Sequence, residues 1–386
     1  MENNIKSPES IAKHNKQLIL NTLRERGNMS RADLSRHLDM SFPAVSSNAK
    51  GLLDSGFILE VGTGDNTMGR KSTLLAFNAQ RGYIIGVDLG RFRIRMMLAD
   101  LLGNEIASTE IKNSASTRGD GSESIALILK QAADILKKAK KKKEDILCIV
   151  IGIPGVIKDG KSYLAPFTEN YSAQDMIKAL QDALDADVIL ENCVNLGAIG
   201  EQWRGAGADY KNVTYIAYGI GLGSAHIIDG KLHKGANGAS GEIGFMITDP
   251  ANISNVYDEA GSLEQALSMS KIERYLKTGD FNEEIKKLIR NYKDGGDIYA
   301  RLMTDEISLN IAIMLVNIAA VLNPEIMIIA GGLGNNLGKL FLDSWKKTLA
   351  NHTPFAPKLV LSELRHKETM LGAVKTGIRH IHENRI

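Results

Sequence analysis

Residues 30–56 constrain the fold of this chain more than any other stretch. Ser30 stands where an N-cap belongs, Asp33 follows three residues later, and Leu34 and Leu38 give a short helix its apolar side. Asp39-Met40 makes a tight turn. Ser41 then caps a second helix, with Pro43 in the first turn, where a missing N–H is no loss. Val45, Ala49, Leu52 and Leu53 share one face of that helix, and Gly56 ends it. The opposite face carries Ser46, Ser47, Asn48 and Lys50. The pattern is that of a helix-turn-helix.

An isolated helical hairpin would show the same spacing, and the flanking segments are what separate the two readings. Upstream, Ile11, Leu18, Ile19 and Leu23 form a helical stripe ending at Gly27, which supplies a third helix for a core. Downstream, FILEVGTGDNTMGRKSTLLAFN reads as two strands around a glycine-rich turn, as in a winged module. Such a module implies a double-stranded DNA operator as partner. Ser41, Pro43, Ser46, Ser47, Asn48 and Lys50 are the expected contacts to bases and phosphates. Ser30, Arg31, Arg70 and Lys71 are expected mainly on phosphates, the last two from the wing.

With 386 residues there is room for this module, residues 1–80, and a larger two-lobed domain after it. The formal net charge is +2. Residues 1–80 hold ten Lys and Arg against eight Asp and Glu, so the whole excess lies in the module. That modest excess fits a head that binds DNA as one of a pair, in a homodimer or a dimer of dimers. Two cysteines, Cys148 and Cys193, are too few for a disulfide scaffold or a four-thiolate metal site. The longest apolar run, 311–322, is too short for a bilayer, and the polar first residues are not a signal peptide, so a cytoplasmic protein with no membrane partner is expected. The lysine run at 137–143 follows a helical segment, Ser124–Lys138, and reads as its solvated C-terminal end.

From Tyr83 on, strands and helices alternate in an α/β pattern. YIIGVDLG and RIRMMLADLLG form a hairpin around Gly90, and CIVIGIPG (148–155) and DVILENCVN (187–195) are buried strands. VTYIAYGIGLGSAHIIDGKL (213–232) is a second hairpin, and a helix from Asp305 to Leu322 precedes the strand IMIIAGG. Strands that end in glycine-rich loops, repeated in two halves, imply a ligand cleft between two lobes, here about 81–196 and 197–386.

The segments GVDLG, GIPG, ENCVN, YGIGLGSAHIIDGKLHKGANGASGEIG and NPEIMIIAGGLG resemble, in order and spacing, the ROK family of sugar kinases and transcriptional repressors. The resemblance implies a two-lobed actin/hexokinase-like ROK domain (81–386), and an N-terminal winged helix-turn-helix joined by a linker such as GRKSTLLAFN points to the repressor branch. It also marks departures. Family kinases carry Asp-x-Gly-Gly-Thr where this chain has Asp88-Leu89-Gly90-Arg91-Phe92, and Gly-Thr-Gly-x-Gly where it has Gly219-Ile220-Gly221-Leu222-Gly223. Their catalytic Asp corresponds to Cys193, a thiol that stays neutral at pH 7. The four zinc-ligand positions of the family fall on Phe245, Asn255, Tyr257 and Ser262, which excludes the family's metal and leaves packing by Phe245 and Tyr257 to hold that loop. Three sugar contacts implied by the resemblance survive as Asn192, Glu242 and Glu264, with Gly155 allowing close backbone approach, whereas APFTENYS (165–172) matches the sugar-side loop only loosely. The expectation is a repressor of carbohydrate genes that senses a monosaccharide or sugar derivative, with no cofactor, no metal and no kinase activity; the alternatives are an active ROK sugar kinase that also represses and a ligand-independent DNA-binding protein whose cleft is vestigial.

Overall fold

The computed structural model describes residues 7–64, 72–113, 121–158, 161–163, 172–219, 221–256, 260–267, 289–294 and 298–386. The head comprises α1 (Pro8–Arg26), β1 (Met29–Ser30), α2 (Arg31–Leu38), α3 (Phe42–Asp54), β2 (Ile58–Gly64) and β3 (Ser72–Phe77). Its strands form one antiparallel sheet with β3 in the centre. The capping reading holds at both helices. The Ser30 hydroxyl accepts from the Asp33 N–H while the Asp33 carboxylate accepts from the Ser30 N–H, and the Ser41 hydroxyl accepts from the Ala44 N–H. Asp39 makes the turn in the left-handed region at φ 53°. Ile19, Leu20, Leu23, Leu34, Val45, Ala49, Leu52 and Leu75 are buried together. Ile11, expected on the inner stripe of α1, is exposed, because only the last three turns of that helix are covered.

The first lobe follows: β4 (Tyr83–Leu89), β5 (Arg93–Asp100), β6 (Glu105–Lys112), α4 (Gly121–Ala139), β7 (Ile146–Ile153), β8 (Val156–Lys158), β9 (Lys161–Tyr163), α5 (Ala173–Leu184), β10 (Asp187–Asn192) and α6 (Cys193–Arg204). The second holds β11 (Val213–Tyr218), β12 (Leu222–Ile228), β13 (Lys231–His233), α7 (Ser262–Leu267), α8 (Ile298–Leu322), β14 (Ile326–Ala330), α9 (Gly332–His352), β15 (Lys358–Leu361) and α10 (Glu368–Asn384). The two five-stranded sheets share one topology. In each, an antiparallel meander of three strands is extended past its first strand by two parallel ones, in the orders β10-β7-β4-β5-β6 and β13-β12-β11-β14-β15. The fully buried pattern of β7 is what a parallel central strand with both faces covered requires.

Three expectations change. The lobe division at 196/197 does not hold for the C-terminus. Met370, Ala373, Val374 and Ile378 of α10 share a buried cluster with Ile84 of β4, Val150 of β7 and Leu196 of α6, so the last helix crosses back onto the first sheet. Gly372 permits the approach, since a Cβ there would meet the Leu196 carbonyl at 1.8 Å. The linker reading of GRKSTLLAFN fails for its second half, because Ser72–Phe77 is the central strand of the head, and head and first lobe share one apolar cluster. Finally, Thr304–Leu322 is long and apolar enough to cross a membrane, longer than the run at 311–322. Ile307, Ile311, Met314, Leu315 and Ile318 of that helix nonetheless pack around Trp345 in the core of the second lobe.

Candidate functional site

Two surfaces carry the chemistry: the outer side of α3 and the cleft between the lobes. On α3, Ser41, Phe42, Pro43, Ser47 and Lys50 are exposed and Ser46 is half-buried, while Val45, Ala49 and Leu52 face the core. Asn48 is not on that outer face. It is only 9% exposed, and its amide donates to the Ala44 carbonyl at 2.8 Å, one turn back on the same helix. Ser30 is buried as well, with its hydroxyl donated to Asp33 at 2.6 Å, so capping consumes the group expected on phosphate. Arg31 is tied to Glu60 of β2 at 2.9 Å. Arg70 and Lys71 lie outside the described residues. Phe42, more than half exposed at the first helical position, was missed in the sequence. Its signal was an aromatic residue between the cap and Pro43.

In the cleft, Asn192 caps α6. Its side-chain oxygen accepts from the N–H groups of Val194 (2.7 Å) and Asn195 (3.1 Å), and its amide donates to the Gly155 carbonyl at 2.7 Å. Gly155 has φ 94°, a conformation a side chain would strain, so this link between β7 and β10 needs glycine. Glu191 accepts from the Asn192 N–H and the Asn195 amide and pairs with Lys234, which reaches across from the second lobe. Cys193 follows at the first position of α6. Burial, reinforced by the Asp88 carboxylate, pushes its thiol up to about 12, so it carries its proton throughout the neutral range.

Asp88, at the end of β4, is paired with Arg95 of β5 at 3.2 Å. Arg95 also bonds Glu110 of β6 at 2.7 Å, and Glu110 pairs with Arg93 as well. Burial pushes the Asp88 carboxyl up, and Arg95 pulls it back only in part. Neither arginine was singled out in the sequence. The alternation in Arg93-Ile94-Arg95, which puts both guanidinium groups on one face of a strand, was the available signal.

On the opposite wall stand Glu242 and Glu264. Both are half-buried and both carboxyls are pushed up, Glu242 by burial and then by Glu264, Glu264 by burial. Glu264 accepts from the Leu222 N–H at 3.3 Å, and Gly244 is held so close that a Cβ would stand 3.0 Å from the Glu264 carboxylate. The zinc positions do not fit the metal. Phe245 is 41% exposed and Asn255 is exposed, while the buried Ser262 hydroxyl has no hydrogen-bond partner, so no thiolate or imidazole is gathered there. The exposure of Phe245 also overturns its expected packing role. Tyr257 and residues 165–171 lie outside the described residues.

A profile described as the ROK family matches residues 84–377. The chain belongs to the ROK family. Among curated ROK relatives, the xylose repressor of Caldicellulosiruptor bescii is 29% identical over 384 residues, 93% of this chain and 94% of that protein. The xylose repressor of Bacillus subtilis is 27% identical over 84% of this chain and 83% of its own length. A glucokinase of Halalkalibacterium halodurans is 29% identical but covers only 65% of this chain. Among solved structures, a ROK family transcriptional regulator described as a homologue of the E. coli MLC protein superposes with a TM-score of 0.78 over 97% of both chains, at 19% identity. A Streptomyces griseus ROK glucokinase, solved with glucose and AMPPNP, has a TM-score of 0.61 over 76% of this chain at 23% identity, which fixes the ROK fold of the body.

Proposed function

We propose that this chain is a DNA-binding transcriptional repressor of carbohydrate genes, whose ROK body senses a sugar or sugar derivative without phosphorylating it. The observation that carries this reading is the head. Its α2–turn–α3 unit, third helix and strand pair have the form of a winged helix-turn-helix, and the first turns of α3 leave Ser41, Phe42, Pro43, Ser46, Ser47 and Lys50 open to a partner. The full-length likeness to xylose repressors includes this head, whereas the glucokinase match spans only about two thirds of the chain.

Three features support a body without kinase chemistry. A thiol held near 12 cannot take the proton of a sugar hydroxyl, and losing a positioned base costs roughly 10²–10⁴ in rate. Asp88 is committed to Arg95 rather than free to organise nucleotide phosphates. The loop beyond it carries Arg91 and Phe92 where small residues would admit them. Glu242, Glu264 and the Asn192 amide suit sugar hydroxyls, because carboxylates and amides offer directed hydrogen bonds. Lobe closure around such a ligand would shift the heads of a homodimer relative to its half-sites.

The test is binding of the full chain to DNA from its own upstream region, at two salt concentrations, with and without monosaccharides. Salt-dependent binding altered by one sugar is expected. No binding at either salt, or ATP-dependent phosphorylation of a sugar by the pure protein, overturns the reading. Within it, Lys50→Ala should weaken operator and random DNA alike and lower the salt slope by about one. Asn48→Ala should instead lower the stability of the head by about 1 kcal/mol and leave sequence preference unchanged, because its amide serves α3 itself.

A further inference from the structure

Where the head meets the body, α1 and α10 line a half-open pocket of about 290 Å³. Arg24 lines it from α1, and Lys375, Arg379, His382 and Glu383 line it from α10. Gln17 of α1 closes one side by donating to the His382 carbonyl at 3.0 Å. Two arginines and a lysine thus share the pocket with one carboxylate, an excess of basic groups even with the imidazole neutral. Among the described residues none of these cations has an ion pair. The Arg24 guanidinium lies 5.9 Å over the Phe77 ring and the Lys375 ammonium 5.4 Å over Trp203. Two buried ring or guanidinium nitrogens, Arg24 Nε and His382 Nε2, have no hydrogen-bond partner.

Such groups are costly to leave unpaired. Burial and mutual repulsion are visible in their proton affinities. Lys375 is pushed down by burial, then by Arg24, Arg379 and Arg204. His382 falls to about 4 through burial, Arg24 and Lys375. Nothing in the cleft chemistry or the α3 surface uses this cluster. Two arginines, a lysine and a histidine lining one cavity supply, once their flexible heads turn into it, a donor set for tetrahedral oxyanions. The volume exceeds a bare phosphate and stands at the lower end of ligand pockets.

We propose that this pocket is an anion site that takes a phosphate dianion, free or as a small phosphate monoester, and that the bound group ties α1 of the head to α10 of the body. The site does not depend on the DNA reading, since it needs only the packing of the two helices. It is tested by calorimetric titration of the full-length protein in physiological potassium chloride, with inorganic phosphate in one arm and glycerol 3-phosphate in the other. One saturable site per chain is expected in at least one arm. Binding in both arms identifies the phosphate group itself as sufficient; binding of the ester alone identifies a phosphorylated metabolite as the source. Arg379→Ala and Lys375→Gln should each weaken that binding at least about tenfold. Arg379 is exposed, so its variant should fold. Both variants should melt at or above the wild-type temperature without phosphate, because they remove repulsion, while losing the rise in Tm that phosphate gives the wild type. No saturable binding in either arm, or unchanged binding in both variants, overturns the proposal.

Discussion

The two lobes are built on the same five-strand topology, yet their cleft-facing ends differ in charge satisfaction. In the first lobe the acidic group at the end of the leading strand, Asp88, is closed off by Arg95, which is held in turn by Glu110. In the second lobe Glu242 and Glu264 face the cleft with their carboxyls pushed up by burial, and no cation is paired with either among the described residues. One side has neutralised itself with its own side chains; the other still carries the cost of half-buried acids. Maintaining that cost is intelligible where a ligand's hydroxyls offset it. The contrast is one of charge: the first lobe has closed off its own acid, whereas the second leaves two half-buried acids open to a hydrogen-bonding partner.

The sharpest way to break this contrast is to reopen the first lobe. Arg95→Ala leaves Asp88 buried without its partner and should cost about 3 kcal/mol, the lower end for a broken buried pair because both side chains keep some exposure. Asp88 would then hold its proton to higher pH, so the loss should grow as pH rises through its raised pKa. Denaturant unfolding of Arg95→Ala, and of Arg95→Met with Asp88→Asn, checks it: the double variant should recover most of the stability. An unchanged single variant would mean that the pair does not close the lobe.

Behind the same pair lies Glu368, at the start of α10. It is buried, one carboxylate oxygen has no hydrogen-bond partner, and burial pushes its carboxyl up to about 7. A raised carboxyl pKa favours the folded state below the unfolded value and loses that contribution as pH climbs through the folded one. Between pH 5 and 8 this should amount to a loss of about 2–3 kcal/mol. Glu368→Gln should flatten that part of the stability profile. An identical profile in wild type and variant would show that Glu368 does not titrate in this window.

How much of this was legible in the sequence differs between head and cleft. Ser30 with Asp33, Ser41 with Pro43, and the Val45-Ala49-Leu52 face are local, so capping and helical period were enough to place them. Asn48 was misassigned for a related reason. It lies one position from Ala49 at the edge of the buried face, where the neighbouring chain rather than helical period decides exposure. The cleft is assembled from segments as far apart in the chain as Asp88 and Glu264. Motif likeness could nominate Asn192, Glu242 and Glu264, but only the fold brings Lys234 to Glu191 and sets the half-buried Cys193 near the Asp88 carboxylate, where it keeps its proton. The return of α10 to the first lobe was invisible, because nothing in an amphipathic helix states which sheet it will cover.

The finest test lies on the open side. Glu264→Gln preserves shape and the acceptor for the Leu222 N–H, so the fold should survive. What it removes is the charge on the acceptor. Hydrogen bonds to ionised groups contribute about 2 kcal/mol, which predicts roughly a thirtyfold loss of affinity for whichever sugar shifts DNA binding. The pH dependence provides an independent check. Because burial raises the Glu264 carboxyl, sugar binding by the wild type should strengthen as pH rises through that pKa and the acceptor ionises, and the variant should lose this trend. Both are read by sugar titrations across pH with release of labelled operator as the signal. Equal affinity and equal pH dependence in the two proteins would make Glu264 an inherited structural acid, and the second lobe would then be as closed to ligand as the first.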